Sequence, residues 1–218
     1  MSDIQILFED GEALVIDKPA GLPLDAPRAG GENLDDHLDA LRFGFARAPR
    51  PVHRLDRDTS GCLLLARNPK ALKRFAAAFE AREVEKVYLG VVAGEVAGDA
   101  GVIELALSKI SSAEKGWRMI PARKGKPALT RWRKLDARGR LTLVEFRPET
   151  GRTHQIRIHA AAGLGAALLG DPVYGDGRGA ARTMLHALSL AIPRAGKPPV
   201  TARAPVPADF AALGFADG

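Results

Sequence analysis

His53-Arg54-Leu55-Asp56-Arg57-Asp58-Thr59-Ser60-Gly61 runs directly into Cys62-Leu63-Leu64-Leu65-Ala66, and this junction decides how the chain is built. Thr-Ser-Gly makes a tight turn, and the apolar run behind it reads as a buried strand. Asp56 therefore sits at the mouth of a sheet element, between arginines. Nearby positive charge favours the ionised form of that acid. An ionised carboxylate can act as a nucleophile or stabilise a cationic sugar. It can equally well cap the turn at Thr59-Ser60 with its charge paired to Arg54.

The same alternation of strand and turn extends in both directions. Ile4-Gln5-Ile6-Leu7-Phe8 and Ala13-Leu14-Val15-Ile16-Asp17 read as strands joined at Asp10-Gly11, a strong hairpin signal. Lys18-Pro19-Ala20-Gly21-Leu22-Pro23 must be loop. Leu34, Leu38 and Leu41 recur at helical spacing, with Asn33 as the cap. Asn68 caps a second helix that opens on Pro69, with Leu72, Phe75, Ala76 and Phe79 as its apolar stripe. Glu85-Lys86-Val87-Tyr88-Leu89-Gly90-Val91-Val92 reads as a strand that turns Tyr88 away from the face of Val87, Leu89 and Val91. Further strands are predicted at 102–107, 128–135, 141–147, 184–192 and 199–204. With strands outnumbering helices, an α+β architecture on a mixed, mainly antiparallel sheet follows, as one domain over residues 1–218.

A second unusual segment, Gly151-Arg152-Thr153-His154-Gln155-Ile156-Arg157-Ile158-His159, lies far downstream. It reads as a short helix capped by Thr153, with free amides at its start that suit an anion. Arg157 falls one turn after His154. Its guanidinium can orient a carboxylate or clamp a phosphate, or simply complement the helix dipole. The five histidines do not assemble into a metal site: His154 and His159 are five apart, about 140° around a helix, and His37, His53 and His186 lack companions at ligand spacing. Phosphate-loop, dinucleotide and Gly-x-Ser-x-Gly signatures are absent, and nothing asks for a cofactor.

The 218 residues carry a formal net charge of +6, which favours anionic partners through counterion release. Between 115 and 140 lie Arg118, Arg123, Lys124, Lys126, Arg131, Arg133, Lys134 and Arg138, with Trp117 and Trp132 interleaved. Such a strip can grip a nucleic-acid backbone while an aromatic ring stacks on a base. It can also be a solvated hairpin packed on the sheet, and Trp132, flanked by Arg131 and Arg133, reads as inward-facing. The one cysteine, Cys62, reads as a small buried thiol. The N-terminus lacks a signal-peptide pattern and no apolar run is long enough for a bilayer, so a cytoplasmic setting without membrane contact is expected.

Taken together these segments resemble the pseudouridine synthases of the RluA type, which isomerise uridine in ribosomal and transfer RNA. The resemblance rests on Asp17-Lys18-Pro19-Ala20-Gly21, the His53–Asp56 run with Thr59-Ser60-Gly61, Glu85-Lys86-Val87-Tyr88, Gly151–Arg157 and Gly170-Asp171-Pro172-Val173-Tyr174-Gly175. Leu185-His186-Ala187 and Ala204-Pro205-Val206-Pro207 add to it. It implies a bent antiparallel sheet flanked by helices around a central RNA-binding cleft. It further implies Asp56 as the catalytic aspartate, Tyr88 as the tyrosine stacked on the target base, and Arg157 as the ion-pair partner of Asp56. Arg54 would fill the space of the extruded nucleotide, and Arg152, His154, Lys18 and Thr59 would bind substrate. Many relatives add an N-terminal S4 RNA-binding domain; none is expected here, since the first predicted strand begins almost at residue 1.

The implied reaction uses no cofactor or metal. A uridine leaves its stack, the bond between uracil N1 and ribose C1′ breaks, uracil turns and rejoins the sugar through C5, and the C5 proton leaves. Attack on the sugar, attack on the base and removal of a sugar proton all remain open roles for Asp56. The expected partners are transfer RNA, large-subunit ribosomal RNA, or both, with the enzyme a monomer. Two other readings compete: a catalytically silent RNA-binding or ribosome-assembly factor, and a base-excising glycosylase that would release free uracil.

Overall fold

In chain order the strands are β1 (Ile6–Glu9), β2 (Ala13–Lys18), β3 (Arg50–Pro51), β4 (Ser60–Ala66), β5 (Glu85–Ala93) and β6 (Ala100–Glu104). They continue with β7 (Leu107–Ser112), β8 (Gly116–Pro121), β9 (Leu129–Arg138), β10 (Leu141–Pro148), β11 (Leu185–Ile192) and β12 (Val200–Arg203). The helices are α1 (Asp35–Leu38), α2 (Pro69–Glu80), α3 (Gln155–Ile158) and α4 (Ala208–Ala212). A 3-10 turn at Ala40–Arg42 follows α1, and a wide helical turn at His159–Gly163 follows α3. The structure, a computed structural model, describes residues 4–27, 30–112 and 116–215. The architecture is α+β on mainly antiparallel pairings, and its internal contacts cluster into two compact units. The first comprises residues 1–86 and 187–205, the second 87–186 and 206–218.

In the first unit Asp10 closes the hairpin between β1 and β2: its carboxylate accepts from the amides of Glu12 and Ala13, each at 2.8 Å. β2 then runs antiparallel to β4, from Ala13 opposite Ala66 to Lys18 opposite Gly61. β4 is buried along its whole length, so it reads as an unbroken apolar run rather than an alternating one. Alternate residues Ala13, Val15, Cys62, Leu64, Leu190, Ile192, Val200 and Ala202 share one core with α2. The α2 cap is as the sequence predicts: Asn68 accepts from Ala71 N at 2.9 Å and Pro69 opens the helix. Its buried face centres on Ala71, Phe75 and Ala78, with Leu72 and Phe79 only partly covered. The small alanines let helix and sheet approach closely. Phe75→Ala would cost about 3–5 kcal/mol.

Asn33 lies one residue before the cap position of α1, which is Leu34. Its side chain nevertheless accepts from Asp35 N at 3.0 Å, and Asp36 reaches back to Asn33 N at 2.9 Å. This reciprocal pairing does the work of a cap.

In the second unit β5, β10, β9 and β6 pair in that order, all antiparallel. Trp132 packs inward against the cluster of Val92, Val144, Phe146, Ile156 and Leu168, and Tyr88 packs against the same cluster. The single strand predicted at 102–107 is two: β6 ends at Glu104, and Leu107 begins β7, which pairs with β8 instead. The switch happens where Leu107 exchanges backbone bonds with Lys126 at 2.9 and 2.8 Å. Residues 113–115, with Lys115 of the basic strip, lie outside the described residues. α4 has no counterpart in the sequence reading; it is fastened by Phe210, fully buried, and by Asp209, which pairs with Arg182 at 2.6 Å. Among the described residues no helix is long and apolar enough to cross a membrane.

Candidate active site

Asp56 is half-buried on the turn that enters β4, and the backbone around it is tied down from below. Its carbonyl accepts from Thr59 N at 3.1 Å, and the next carbonyl, Arg57 O, accepts from Gly21 N at 2.9 Å. Arg57 O also accepts from Lys18 Nζ at 2.9 Å. Lys18 is fully buried and donates further to Pro19 O at 2.7 Å and Leu22 O at 2.8 Å. Three carbonyls take up the three hydrogens of an ammonium. Lys18 therefore braces the Asp56 loop from inside the fold. Thr59, 2 % exposed, is buried in the same turn. Arg54 is exposed, with its guanidinium 3.9 Å from Asp25.

Two further features fix the turn. Gly61 has φ +104°, and a Cβ there would stand 2.2 Å from Ala187 O; only glycine fits so close an approach of two backbones. His53 accepts from Leu64 N through Nε2 at 3.0 Å and stacks on Phe79 at 4.8 Å. Burial, helped by the nearby positive charge of Lys86, pushes its imidazole down to about 3. It is thus a neutral structural ring at neutral pH, not an acid or base.

The second unit holds Tyr88, Arg152, His154 and Arg157. Tyr88 lies on β5 opposite Phe146. Arg157 donates through Nε and Nη2 to the two carboxylate oxygens of Asp171, each at 2.8 Å, with the acid wholly buried. Burial alone would raise the Asp171 carboxyl. The Arg157 hydrogen bonds and charge, with the amides of Val173 and Tyr174, more than offset this and hold it below its ordinary value. Asp171 and Tyr174 were visible in the sequence only as parts of the Gly170–Gly175 run and had no assigned role.

His154, not Thr153, occupies the cap of α3, in the left-handed region at φ +53° and with no side-chain cap bond. The free-amide anion site predicted at Thr153 therefore gives way to a different arrangement. Gln155, nearly buried, accepts from Thr150 Oγ1 at 2.7 Å and Arg152 N at 3.0 Å, and donates to Leu129 O at 3.0 Å and Thr130 Oγ1 at 2.9 Å. His154 Nδ1 hydrogen-bonds the Tyr174 hydroxyl at 2.9 Å, which also accepts from Met119 N at 3.1 Å on β8. The exposed Trp117 ring lies 5.0 Å from His154, and Lys109 sits 4.8 Å from the Trp117 ring. Arg152 donates to Pro127 O at 3.1 Å and keeps a partly exposed guanidinium.

The basic strip divides by partner. On β9 and its neighbours Arg131 pairs with Glu149 at 2.6 Å, Arg133 with Glu145 at 3.4 Å, Lys134 with Asp99 at 3.0 Å and Arg138 with Asp136 at 2.9 Å. Arg123, Lys124 and Lys126, exposed on the turn after β8, form no ion pair among the described residues. Within the strip, Arg123, Lys124 and Lys126 thus leave their charge open to an anion.

The family model for RNA pseudouridylate synthase matches residues 12–162. A protein of Zymomonas mobilis described as an uncharacterized RNA pseudouridine synthase is 52% identical over 213 residues, 97% of each chain. The ribosomal large subunit pseudouridine synthase D of the same organism is 36% identical over 86% of this chain, which spans 61% of that protein. Among solved structures, human RNA pseudouridylate synthase domain containing 1 aligns with a TM-score of 0.77 at 31% identity, covering 94% of this chain and 84% of that one.

Proposed function

Since the chain belongs to the RNA pseudouridylate synthase family, we propose that it is an isomerase that converts particular uridines of transfer RNA or large-subunit ribosomal RNA to pseudouridine, with Asp56 as the catalytic carboxylate. The observation that carries this reading is the construction of the Asp56 turn. Lys18, Gly21 and Thr59 fix the backbone on either side of the acid, while its own side chain is left half-exposed. A carboxylate held in one place is what positioning catalysis requires. In this reading residues 1–218 act as one catalytic domain in the cytoplasm, with no cofactor.

In this reading Tyr88 stacks on the extruded uracil, and Arg157, whose guanidinium Asp171 holds, is the arginine proposed as the ion-pair partner of Asp56. Arg54 occupies the space the nucleotide vacates. Arg152 and His154 meet the phosphates near the reacting nucleoside. Asp56 promotes cleavage between N1 of uracil and C1′ of ribose; the freed base turns, bonds through C5, and loses the C5 proton to solvent. The test is Asp56→Ala with RNA carrying 5-tritiated uridine. Tritium release should vanish while RNA binding stays within about tenfold, ~1.4 kcal/mol. Full release by the variant would reject the assignment; free uracil among the parent enzyme's products would move the reading to a glycosylase.

A further inference from the structure

Phe43 and Phe45 are 48% and 37% exposed, the first followed by Gly44 and both close to the end of the 3-10 turn. Folding ordinarily buries such rings, each worth about 1.5–3 kcal/mol. Here the backbone turns them outward: Phe43 has φ +46° and Gly44 φ +84°, two successive left-handed residues. A bulky side chain rarely adopts that region without a compensating use.

Beneath the rings lies a fixed cation. Arg67, nearly buried, places its guanidinium 3.8 Å from the Phe45 ring centre and 5.9 Å from that of Phe43. Arg67 donates to Glu9 at 2.6 Å, to Asp10 O at 3.2 Å and to Arg42 O at 3.0 Å, so it cannot swing away. The segment between Asp39 and Asp56 holds four arginines, of which Arg42 lies 3.7 Å from Asp39 and Arg54 3.9 Å from Asp25. Of these Arg47 and Arg50 are exposed and form no ion pair among the described residues.

We propose that Phe43 and Phe45, with Arg47 and Arg50, form an accessory platform that stacks unpaired bases of the substrate RNA on the phenyl rings and holds the flanking phosphates on the arginines. The charge selects this occupant. An apolar protein partner has no use for two exposed arginines without an ion pair beside the rings, whereas single-stranded nucleic acid offers a π-face and a phosphate at every step. The inference rests on the RNA-modifying role above for the identity of the ligand, but its test reads binding alone.

The probes are a labelled unpaired oligoribonucleotide of mixed sequence and the same strand annealed to its complement. Phe43→Ala/Phe45→Ala should weaken binding of the unpaired probe by tenfold or more, as expected for losing base–aromatic stacking, and leave the duplex within about twofold. Arg47→Gln/Arg50→Gln should flatten the salt dependence by about 1.4 in log–log slope, two phosphates at ~0.7 each. Trp at both ring positions should restore binding and Leu should not. Unchanged binding by the alanine variant, or rescue by Leu as good as by Trp, overturns the platform. So does loss of a dimer on sedimentation of the alanine variant, which would assign the rings to a second copy. A parent protein that binds the unpaired probe through these rings yet releases no tritium from any RNA would sink the catalytic reading and leave this one standing.

Discussion

Replacing Asp171 by alanine tests the central electrostatic feature of the second unit. The acid is fully buried and both its oxygens face Arg157 at 2.8 Å, one of them also accepting from Val173 N at 2.9 Å and Tyr174 N at 3.1 Å. Removing one member of a buried pair costs about 3–5 kcal/mol, because the other charge loses that compensation without regaining water. Against a total stability of about 5–15 kcal/mol, the variant should melt roughly 10 °C lower. Asp171→Asn retains an acceptor for the two amides but sets an NH2 against the Arg157 Nε–H, so about 2–3 kcal/mol is expected. Urea denaturation of the parent, Asp171→Ala, Arg157→Ala and the double variant completes a cycle whose coupling should be about 2–3 kcal/mol. The depressed Asp171 pKa adds a direction: its contribution is complete above the ordinary carboxylate value near ~3.9 and fades as pH falls through the lower folded value. The gap between parent and Asp171→Ala should accordingly hold from pH 8 to about 5 and shrink only below about 4. An alanine variant within about 1 kcal/mol of the parent, or strictly additive single losses, would refute the argument.

Three other perturbations follow from the geometry. Gly61→Ala combines a strained φ with a Cβ 2.2 Å from Ala187 O, and should cost at least about 3 kcal/mol; a urea midpoint like the parent's would contradict it. His53, held neutral with a pKa near 3, makes the folded state bind fewer protons than the unfolded chain below about pH 6.5. Stability should therefore fall by up to ~1.4 kcal/mol per pH unit between pH 6.5 and 5, and His53→Asn should flatten that slope in parallel denaturation series. Neutralising Arg123, Lys124 and Lys126 together should weaken RNA binding and lower its salt slope, read by titration at several salt concentrations; unchanged affinity and slope would remove this turn from the interface.

How much of this was legible depended on whether the deciding physics was local. The Asp10-Gly11 hairpin and the Asn68-Pro69 helix start are local signals, because the turn and cap bonds lie within three residues. The buried run at 62–66 announces itself by composition. By contrast, the left-handed backbone at His154 accompanies a hydroxyl twenty residues away on Tyr174, and no neighbour in sequence signals it. The β7–β8 hairpin is rich in Ser and Lys, so its alternation is too weak to separate it from β6. The bracing by Lys18 was equally hidden: lysines are ordinarily solvated, and only the tertiary arrangement shows that three carbonyls converge on its ammonium. The Asp171 pairing with Arg157 was hidden for the same reason, fourteen residues of separation offering no periodic clue.

The cross-bracing by Gln155 bears on the order in which the chain assembles. A four-residue helix without a side-chain cap cannot nucleate on its own in water, yet α3 carries Arg157. Its anchors, Leu129 O and Thr130 Oγ1, lie on β9 or at its first residue, and they acquire their places only once β9 has zipped onto β10. The guanidinium is thereby set late, after the strands that anchor its helix have registered. A chain in which this sheet has not closed would carry the segment 155–158, and Arg157 with it, without these anchors.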